Sequence, residues 1–198
     1  MFTGIIEAVG IVKEVISSGS NRTFWIGSPL SAEFKIDQSV AHSGVCLTVE
    51  EIKGDMHRVT AISETLDKTD LNSWKEGAVI NIERCLQVNS RLDGHFVQGH
   101  TDCTGTCIKR KEKKGSWEFE FSFPKKKAGL IIEKGSICVN GISLTAFNVK
   151  KKSFTVAIIP FTFEHTNIQY IKEGDTINLE FDVMGKYLLR RLSLKEKY

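Results

Sequence analysis

Two short motifs carry the side chains best suited to chemistry in this sequence. The first, Gly44-x-Cys46-Leu47-Thr48, offers a thiol, and the second, Gly141-x-Ser143-Leu144-Thr145, offers a hydroxyl at the matching position. A thiol or a hydroxyl can act as a nucleophile when a neighbouring base takes its proton. By themselves such groups are usually packed, hydrogen-bonded parts of a core, so their chemistry depends on the elements that position them.

The two motifs belong to a sequence that repeats itself. Residues 37–83 align with residues 134–180 without a gap, and 15 of the 47 aligned positions are identical. A repeat of this length has the size of a domain rather than of a solenoid unit. We therefore predict two similar domains over residues 1–92 and 93–184, followed by a C-terminal helix over residues 185–198.

Within each repeat the pattern is typical of short β-strands. Runs rich in β-branched residues, such as Val79-Ile80-Asn81-Ile82, are separated by Gly, Asn, Asp and Ser. Residues 117–123 alternate strictly between aromatic and polar side chains, which indicates a half-buried strand. Several short strands per repeat predict an all-β protein with a small antiparallel barrel in each half. Short helical pieces are predicted over 63–71, 124–134 and 160–168.

The tail after the second repeat is predicted to be an amphipathic helix. Tyr187, Leu188 and Leu192 recur at helical spacing, and basic residues crowd the end of the segment, which suits the helix dipole. An isolated helix this short is only marginally stable. Packing against its own barrel would stabilise it, but we favour packing between chains, which predicts an oligomer.

Composition and charge exclude several classes of protein. The chain has 198 residues, of which 41% are hydrophobic and 26% charged, and its net charge of +3 is too small to indicate nucleic-acid binding. No apolar run approaches the roughly 18 residues of a membrane helix, and no signal pattern opens the chain. We expect a cytoplasmic protein. The net charges of residues 1–94 and 95–198, −4 and +7, predict head-to-tail attraction between chains.

The five cysteines match neither a zinc site nor a disulfide framework. Cys103 and Cys107 are four positions apart, but no second pair has the spacing of zinc ligands. An odd number of cysteines without a signal segment argues against a set of disulfides. We therefore expect no metal here.

Two similar domains have a chemical meaning when two copies of one molecule react. One copy donates a chemical group and the other accepts it. The protein then needs two pockets that share a common framework but differ in a few side chains. The halves agree at Thr48 and Thr145 but differ at Cys46 and Ser143. Holding two reactants in register can lower a barrier by about 7–11 kcal/mol in the best intramolecular cases.

These motifs together resemble the riboflavin synthase family. The resemblance rests on Met1-Phe2-Thr3-Gly4-Ile5, on the paired Gly-x-Cys/Ser-Leu-Thr motifs and on Gly94-His95-Phe96-Val97-Gln98-Gly99-His100, and it covers essentially the whole chain. Ile159-Pro160-x-Thr162 and the ending from Asp182 to Arg191 also fit. It implies two tandem six-stranded antiparallel Greek-key barrels related by internal duplication, with a C-terminal α-helix.

The resemblance also implies a reaction and an assembly. Members of the family convert two molecules of 6,7-dimethyl-8-ribityllumazine into riboflavin and 5-amino-6-(D-ribitylamino)uracil by moving a four-carbon unit, without a metal or redox cofactor. The expected assembly is a homotrimer in which the first barrel of one chain (N-barrel) meets the second barrel of its neighbour (C-barrel). Lumazine synthase is a further candidate partner.

Carried over by motif, the resemblance implies two substrate pockets made of backbone groups and hydroxyls, which suit the edge of a flat pterin ring. The N-barrel pocket is expected to use Gly4, Ile5, Ile6, Cys46, Leu47, Thr48, Thr60, Ala61, Ile62, Ser63, Glu64 and Thr65. The C-barrel pocket is expected to use Gly99, His100, Thr101, Lys134, Ser143, Leu144, Thr145, Ile159, Pro160, Phe161, Thr162, Phe163 and Glu164.

Five residues are assigned chemical roles on the same basis. Ser143 is a candidate to attack the donor or to position water, and His100 is a candidate proton relay, since imidazole titrates near neutral pH. Cys46 can serve similarly only if its pKa is lowered. Phe2 is expected to close over a bound ring at the barrel mouth, and Asp182 to polarise groups near the C-barrel site.

Three other functions stay open at this point. A non-catalytic lumazine- or flavin-binding protein would share the fold, but the intact Ser143-Leu144-Thr145 motif and the tail helix favour an enzyme. A flavin-binding reductase barrel would carry an Arg-x-Tyr-Ser/Thr motif, which this sequence lacks. A nucleic-acid-binding barrel would interleave aromatic and basic residues on one face, whereas the aromatic residues here alternate as in a core.

Overall fold

The computed structural model describes residues 1–195, which form two closed six-stranded barrels of antiparallel strands. The strands of the N-barrel are β1 (Ala8–Ser18), β2 (Asn21–Gly27), β3 (Ser39–His42), β4 (Val45–Lys53), β5 (Met56–Ala61) and β6 (Val79–Arg84). Those of the C-barrel are β7 (Cys103–Lys113), β8 (Ser116–Ser122), β9 (Ser136–Val139), β10 (Ile142–Phe147), β11 (Ser153–Ile158) and β12 (Thr176–Phe181).

Both barrels close with the same strand order. In the N-barrel β2 pairs with β5, β3 pairs with β6, and β6 pairs with β1 to close the cylinder, which is a Greek-key arrangement. The C-barrel repeats this order from β7 to β12. The prediction of an all-β protein with two duplicated six-stranded barrels and a C-terminal helix is therefore confirmed.

Each barrel encloses its own hydrophobic core. The alternating segment of the sequence is β8, in which Phe119 and Phe121 are fully buried while Glu118 and Glu120 lie on the outer side. Phe24 and Ile26 of β2 fill the N-barrel in the same way. Alternation places every second side chain on one face of a strand, so this pattern alone determines which residues enter the core.

The helices are shorter than the sequence predicts. The segment 63–71 divides into α1 (Ser63–Lys68) and a 3-10 turn over Asp70–Ser73, and 160–168 divides into α2 (Pro160–His165) and a 3-10 turn over Asn167–Tyr170. The predicted helix over 124–134 is a 3-10 helix over Lys125–Leu130. The chain breaks after α1 and α2 because a threonine there is extended, and its hydroxyl accepts a hydrogen bond from the following turn.

The last helix, α3 (Val183–Lys195), agrees with the predicted amphipathic tail, although residues 196–198 of that prediction lie outside the described residues. Met184 N donates a hydrogen bond to the Asp182 carboxylate at the start of the helix. Lys186 pairs with Asp102 at 2.6 Å and ties α3 to the C-barrel. Within residues 1–195, α3 included, no helix has the length and apolar character needed to cross a membrane.

The two barrels meet through their twin motifs. Gly44 and Gly141 lie against each other with φ values of +81° and +83°. Asn81 Nδ2 donates to the Asn140 carbonyl at 2.8 Å. In the pseudo-symmetric contact, Asn178 Nδ2 donates to the Ser43 carbonyl at 3.0 Å.

Asp70 and Asn167 occupy equivalent positions of this interface but differ in charge. Asn167 N donates to Asn81 Oδ1, and the equivalent Asp70 N donates to Asn178 Oδ1. Burial raises the pKa of the Asp70 carboxyl to about 6, while a hydrogen bond from Asn178 opposes the shift. The interface is thus nearly symmetric in geometry but not in charge.

Gly44→Ala is expected to destabilise the protein strongly because a Cβ there would lie 2.7 Å from the Gly141 backbone nitrogen. We expect the free energy of unfolding in urea to fall by about 2–4 kcal/mol, from strain and the clash together. Gly77→Ala is the matched control, since its φ of +85° is similar but nothing lies within 4 Å; it should cost about 1 kcal/mol. Equal losses in both variants would contradict this role for the glycine contact.

Candidate functional site

Each barrel is preceded by an extended segment that reaches the other barrel. We call residues 1–6 the N-strap and residues 95–101 the C-strap. The two straps pair with each other, because Phe2 N donates to Val97 O at 2.7 Å and Val97 N donates to Phe2 O at 3.1 Å. The residue Ile6 at the end of the N-strap packs against the C-barrel core.

Each strap crosses the interface and contacts the Gly-x-Cys/Ser-Leu-Thr motif of the opposite barrel. Ser143 N of the C-barrel donates to the Gly4 carbonyl of the N-strap at 2.8 Å. Cys46 N of the N-barrel donates to the Gly99 carbonyl of the C-strap at 2.8 Å. A Cβ on Gly99 would lie 2.6 Å from the Cβ of Cys46, so only glycine allows this approach.

This crossing of the straps corrects the predicted composition of the two pockets. The resemblance implies that Gly99, His100 and Thr101 belong to the C-barrel pocket, but they lie against Cys46 of the N-barrel. It implies that Gly4 belongs to the N-barrel pocket, but Gly4 lies against Ser143 of the C-barrel. The physical reason is the strap pairing, which carries each strap across the interface before its own barrel begins.

The first site, which we call the Cys46 pocket, is a cavity of about 290 Å³. This volume is at the lower end of the range for small-molecule sites, about 300–1,000 Å³. Burial raises the pKa of the Cys46 thiol, so the condition under which Cys46 was expected to act as a nucleophile is not met. The cavity is lined by Val45, Cys46, Glu64, Thr65, Lys68, Thr69, Gly99, His100 and Thr101.

The second site, which we call the Ser143 site, contains Ser143, His95, Asp182 and Gly4. Ser143 Oγ lies 2.6 Å from His95 Nδ1, and His95 N donates to Thr3 O at 3.0 Å, which fixes the histidine backbone against the N-strap. Burial lowers the pKa of His95, and the negative charge of Asp182 opposes that shift. A neutral imidazole at this distance can accept a proton from the serine hydroxyl or from water.

Phe2 does not lie where the resemblance implies. Its ring is fully buried between the barrels, in a cluster with Ala41, Val97 and Cys138. The ring is therefore not exposed at a barrel mouth in this structure, and the closure of Phe2 over a bound ring stays a prediction. The hydrogen-bonded pairing of Phe2 with Val97 turns the side chain into the interface, where it contributes to packing of the two straps.

Several predicted pocket residues use their side chains for packing. Leu47 and Ala61 are buried in the N-barrel core, and Leu144 packs against the C-barrel core. Phe163 stacks on Trp117 with ring centroids 3.7 Å apart. At Leu47 and Ala61, whose side chains are buried, only backbone groups remain for a ligand.

Other predicted residues do not line the Cys46 pocket. Thr60 Oγ1 bonds Thr23 Oγ1 at 2.8 Å on the outer wall, and the Lys134 ammonium lies 5.4 Å from the Phe147 ring centroid. Exposed Phe161 stacks on His165, with centroids 4.2 Å apart. Ser63 and Pro160 open α1 and α2. Largely exposed or half-buried positions are taken by Ile5, Thr48, Ile62, Thr145, Ile159, Thr162 and Glu164.

The structure adds residues that sequence reasoning did not single out. His95 belongs to the Gly94-His95-Phe96 segment that opens the second half, but no sequence pattern connects it with Ser143. Lys68 lies in the Cys46 pocket beside the predicted Glu64. Glu83 and Glu180 occupy equivalent positions of the repeat, and each accepts hydrogen bonds from backbone N–H groups of a strap. Among residues 1–195, no group of three or more His, Cys, Asp or Glu side chains is arranged to hold a metal ion.

This chain matches one family model and is similar to several known proteins. The family model described as a lumazine binding domain matches residues 3–85 and 98–182. The riboflavin synthase of Bacillus amyloliquefaciens is 33% identical over 198 residues, covering 100% of this chain and 92% of the relative. That of Actinobacillus pleuropneumoniae is 37% identical over 189 residues, covering 95% and 88%.

Solved structures show the same fold. LumP complexed with riboflavin superposes with a TM-score of 0.86 at 21% identity, covering 91% of this chain and 99% of that chain. LumP complexed with 6,7-dimethyl-8-(1'-D-ribityl) lumazine has a TM-score of 0.83 at 20% identity, covering 91% and 98%. At this level of identity the likeness concerns the fold alone.

Proposed function

Because this chain belongs to the riboflavin synthase family, with two lumazine-binding domains, we propose that it converts two molecules of 6,7-dimethyl-8-ribityllumazine into riboflavin and 5-amino-6-(D-ribitylamino)uracil. This would be the last step of riboflavin biosynthesis, a four-carbon transfer that uses no cofactor. The observation that carries the proposal is the pair of related but different sites, one around Cys46 and one around Ser143.

The difference between the sites supplies the asymmetry that the reaction requires. The donor lumazine must accept a nucleophile at C7, and the acceptor must lose a proton from its C7 methyl group. We assign Ser143 to deliver the nucleophile or to hold the water that does so, with neutral His95 as the base. Asp182 stabilises the imidazolium that forms when His95 takes the proton.

The Cys46 pocket binds the other lumazine in this proposal. His100 and Thr101 of the C-strap line it together with Glu64 and Thr65, so it offers hydroxyl, carboxylate and imidazole groups. Such groups suit the ribityl hydroxyls and the polar edge of the pterin. His100 remains the candidate that relays protons there. The remaining predicted contacts, including Lys134, are proposed to complete the sites.

We further propose that the chain works as a cytoplasmic homotrimer, with lumazine synthase as a candidate partner. Support for an oligomer comes from α3, whose outward side presents Met184, Leu188 and Leu192 beside exposed Ile132 of the C-barrel. These residues border an apolar cavity of about 370 Å³. Apolar side chains grouped in this way mark a surface for protein contact.

Turnover of the lumazine separates this proposal from a non-catalytic lumazine-binding protein. The purified chain is incubated with 6,7-dimethyl-8-ribityllumazine in buffer containing a chelator, and products are quantified by chromatography. We expect one riboflavin and one diaminouracil product for every two lumazines consumed, with none in a protein-free control. Stoichiometric binding without product would favour the non-catalytic function.

A further inference from the structure

Two buried glutamates hold the straps that connect the barrels. Glu83 lies on β6 and Glu180 on β12, and their exposed fractions are only 3% and 2%. The mechanism proposed above uses neither side chain. Both hydrogen-bond to backbone N–H groups of a strap, and burying a carboxylate in this way is costly unless hydrogen bonds replace its water.

Glu180 holds the C-strap by accepting hydrogen bonds from the residues on either side of Gly99. Its Oε1 accepts from Gln98 N at 2.6 Å and its Oε2 accepts from His100 N at 2.9 Å. Between these two residues, the Gly99 carbonyl accepts from Cys46 N of the opposite barrel. The carboxylate therefore sets the position of the peptide groups that form one wall of the Cys46 pocket.

Glu83 does the same for the N-strap. Its Oε1 accepts from Thr3 N at 2.6 Å and from Thr3 Oγ1 at 2.8 Å, and its Oε2 accepts from Gly4 N at 3.1 Å. The Gly4 carbonyl then accepts from Ser143 N of the opposite barrel. We call each glutamate with the strap N–H groups that it accepts a clamp. The two clamps are related by the same pseudo-symmetry as the barrels.

A charged clamp suits a segment whose backbone conformation is otherwise poorly restrained. Gly4 and Gly99 have φ values of +78° and +76°, and glycine gives a free strap many alternative conformations. Hydrogen bonds to a carboxylate are about twice as strong as neutral ones, and the carboxylate accepts several N–H groups at once. Burial raises the pKa of both glutamates, and the strap N–H groups oppose that shift.

We propose that Glu180 is a positioning residue for the Cys46 pocket and Glu83 for the Ser143 site, so that each site depends on a carboxylate of the barrel that does not contain it. The inference rests on the proposed function and specifies how one barrel shapes the site of the other. It predicts a crossed dependence, in which a change in the C-barrel weakens binding at the N-barrel, and the reverse.

The matched variants Glu180→Gln and Glu83→Gln test this dependence. Glutamine keeps the shape but turns an NH₂ donor toward a strap N–H that needs an acceptor. Amide hydrogen exchange with increasing 6,7-dimethyl-8-ribityllumazine reports each site separately, through peptides containing Cys46 or Ser143. In Glu180→Gln we expect about tenfold weaker binding or more at the Cys46 peptide, with less than a twofold change at the Ser143 peptide; Glu83→Gln should give the reverse.

Each result has a definite meaning. The crossed dependence would be overturned by equal losses at both peptides, by loss only at the site of the mutated barrel, or by lumazine protection of only one of the two peptides in the unaltered chain. Failure of the unaltered chain to bind lumazine would overturn the proposed function as well. Folding is checked by circular dichroism. If a Gln variant does not fold, Glu180→Asp and Glu83→Asp replace the pair, because aspartate keeps both acceptor atoms but shortens the reach.

Discussion

Ser143→Ala is expected to lower kcat by about 10²–10⁴-fold, because it removes the hydroxyl that lies 2.6 Å from His95 Nδ1. The measurement is steady-state riboflavin formation at saturating lumazine, together with lumazine affinity. Affinity should change much less than kcat, since the hydroxyl is proposed to act in the chemical step. Ser122→Ala is the matched control, because its hydroxyl bonds Thr106 on the outer wall of the same barrel.

The pH profile identifies the partner of Ser143. Burial lowers the pKa of His95, so the imidazole stays neutral below its ordinary titration range, and activity should fall only as the pH drops through that lowered value. In His95→Gln the remaining activity should lose this acid limb. If Ser143→Ala retains more than a third of the activity, or if the limb persists in His95→Gln, the roles assigned to this pair are wrong.

Leu188→Glu is expected to abolish the proposed trimer and most of the turnover. Leu188 is 64% exposed on α3 and borders the apolar cavity, so in an assembled trimer it would be covered. A carboxylate buried there without a partner costs several kcal/mol, enough to separate the chains at micromolar concentration. Sedimentation should show a monomer, and kcat/KM should fall by about 100-fold or more, since neighbouring chains are proposed to bring the two substrates together.

Ser193→Glu is the control for this variant. It introduces the same charge into the same helix at an exposed position where the native hydroxyl bonds only the Arg190 carbonyl. We expect it to remain trimeric and active. A Leu188→Glu protein that is monomeric yet fully active would show that a single chain suffices, and a trimeric one would place the interface elsewhere.

The barrels themselves could be predicted from the sequence because their cause is local. Alternation at residues 117–123 places Phe119 and Phe121 on one face of a strand, whatever the rest of the chain does. The ungapped repeat then requires the second half to fold like the first. The α3 helix follows from the spacing of Leu188 and Leu192.

The composition of each site was decided only by tertiary structure. A duplicated sequence is symmetric, so it cannot tell whether the segment before a barrel contacts its own motif or that of the other barrel. Backbone hydrogen bonds from Ser143 to Gly4 and from Cys46 to Gly99 decide this. Nearly every residue carries the same backbone N–H and C=O groups, so the residue types do not tell which motif a strap contacts. The same is true of Phe2, whose apolar ring would suit either a lid or an interface.

The contact between His95 and Ser143 could not be predicted from the sequence either. The position of His95, 48 residues before Ser143, follows no periodic pattern, and only the folding of the C-strap across the interface brings imidazole and hydroxyl into contact. Local patterns determine strands, helices and cores because they depend on neighbouring residues. The geometry of the candidate site depends on long-range packing of two barrels, which only the tertiary structure determines.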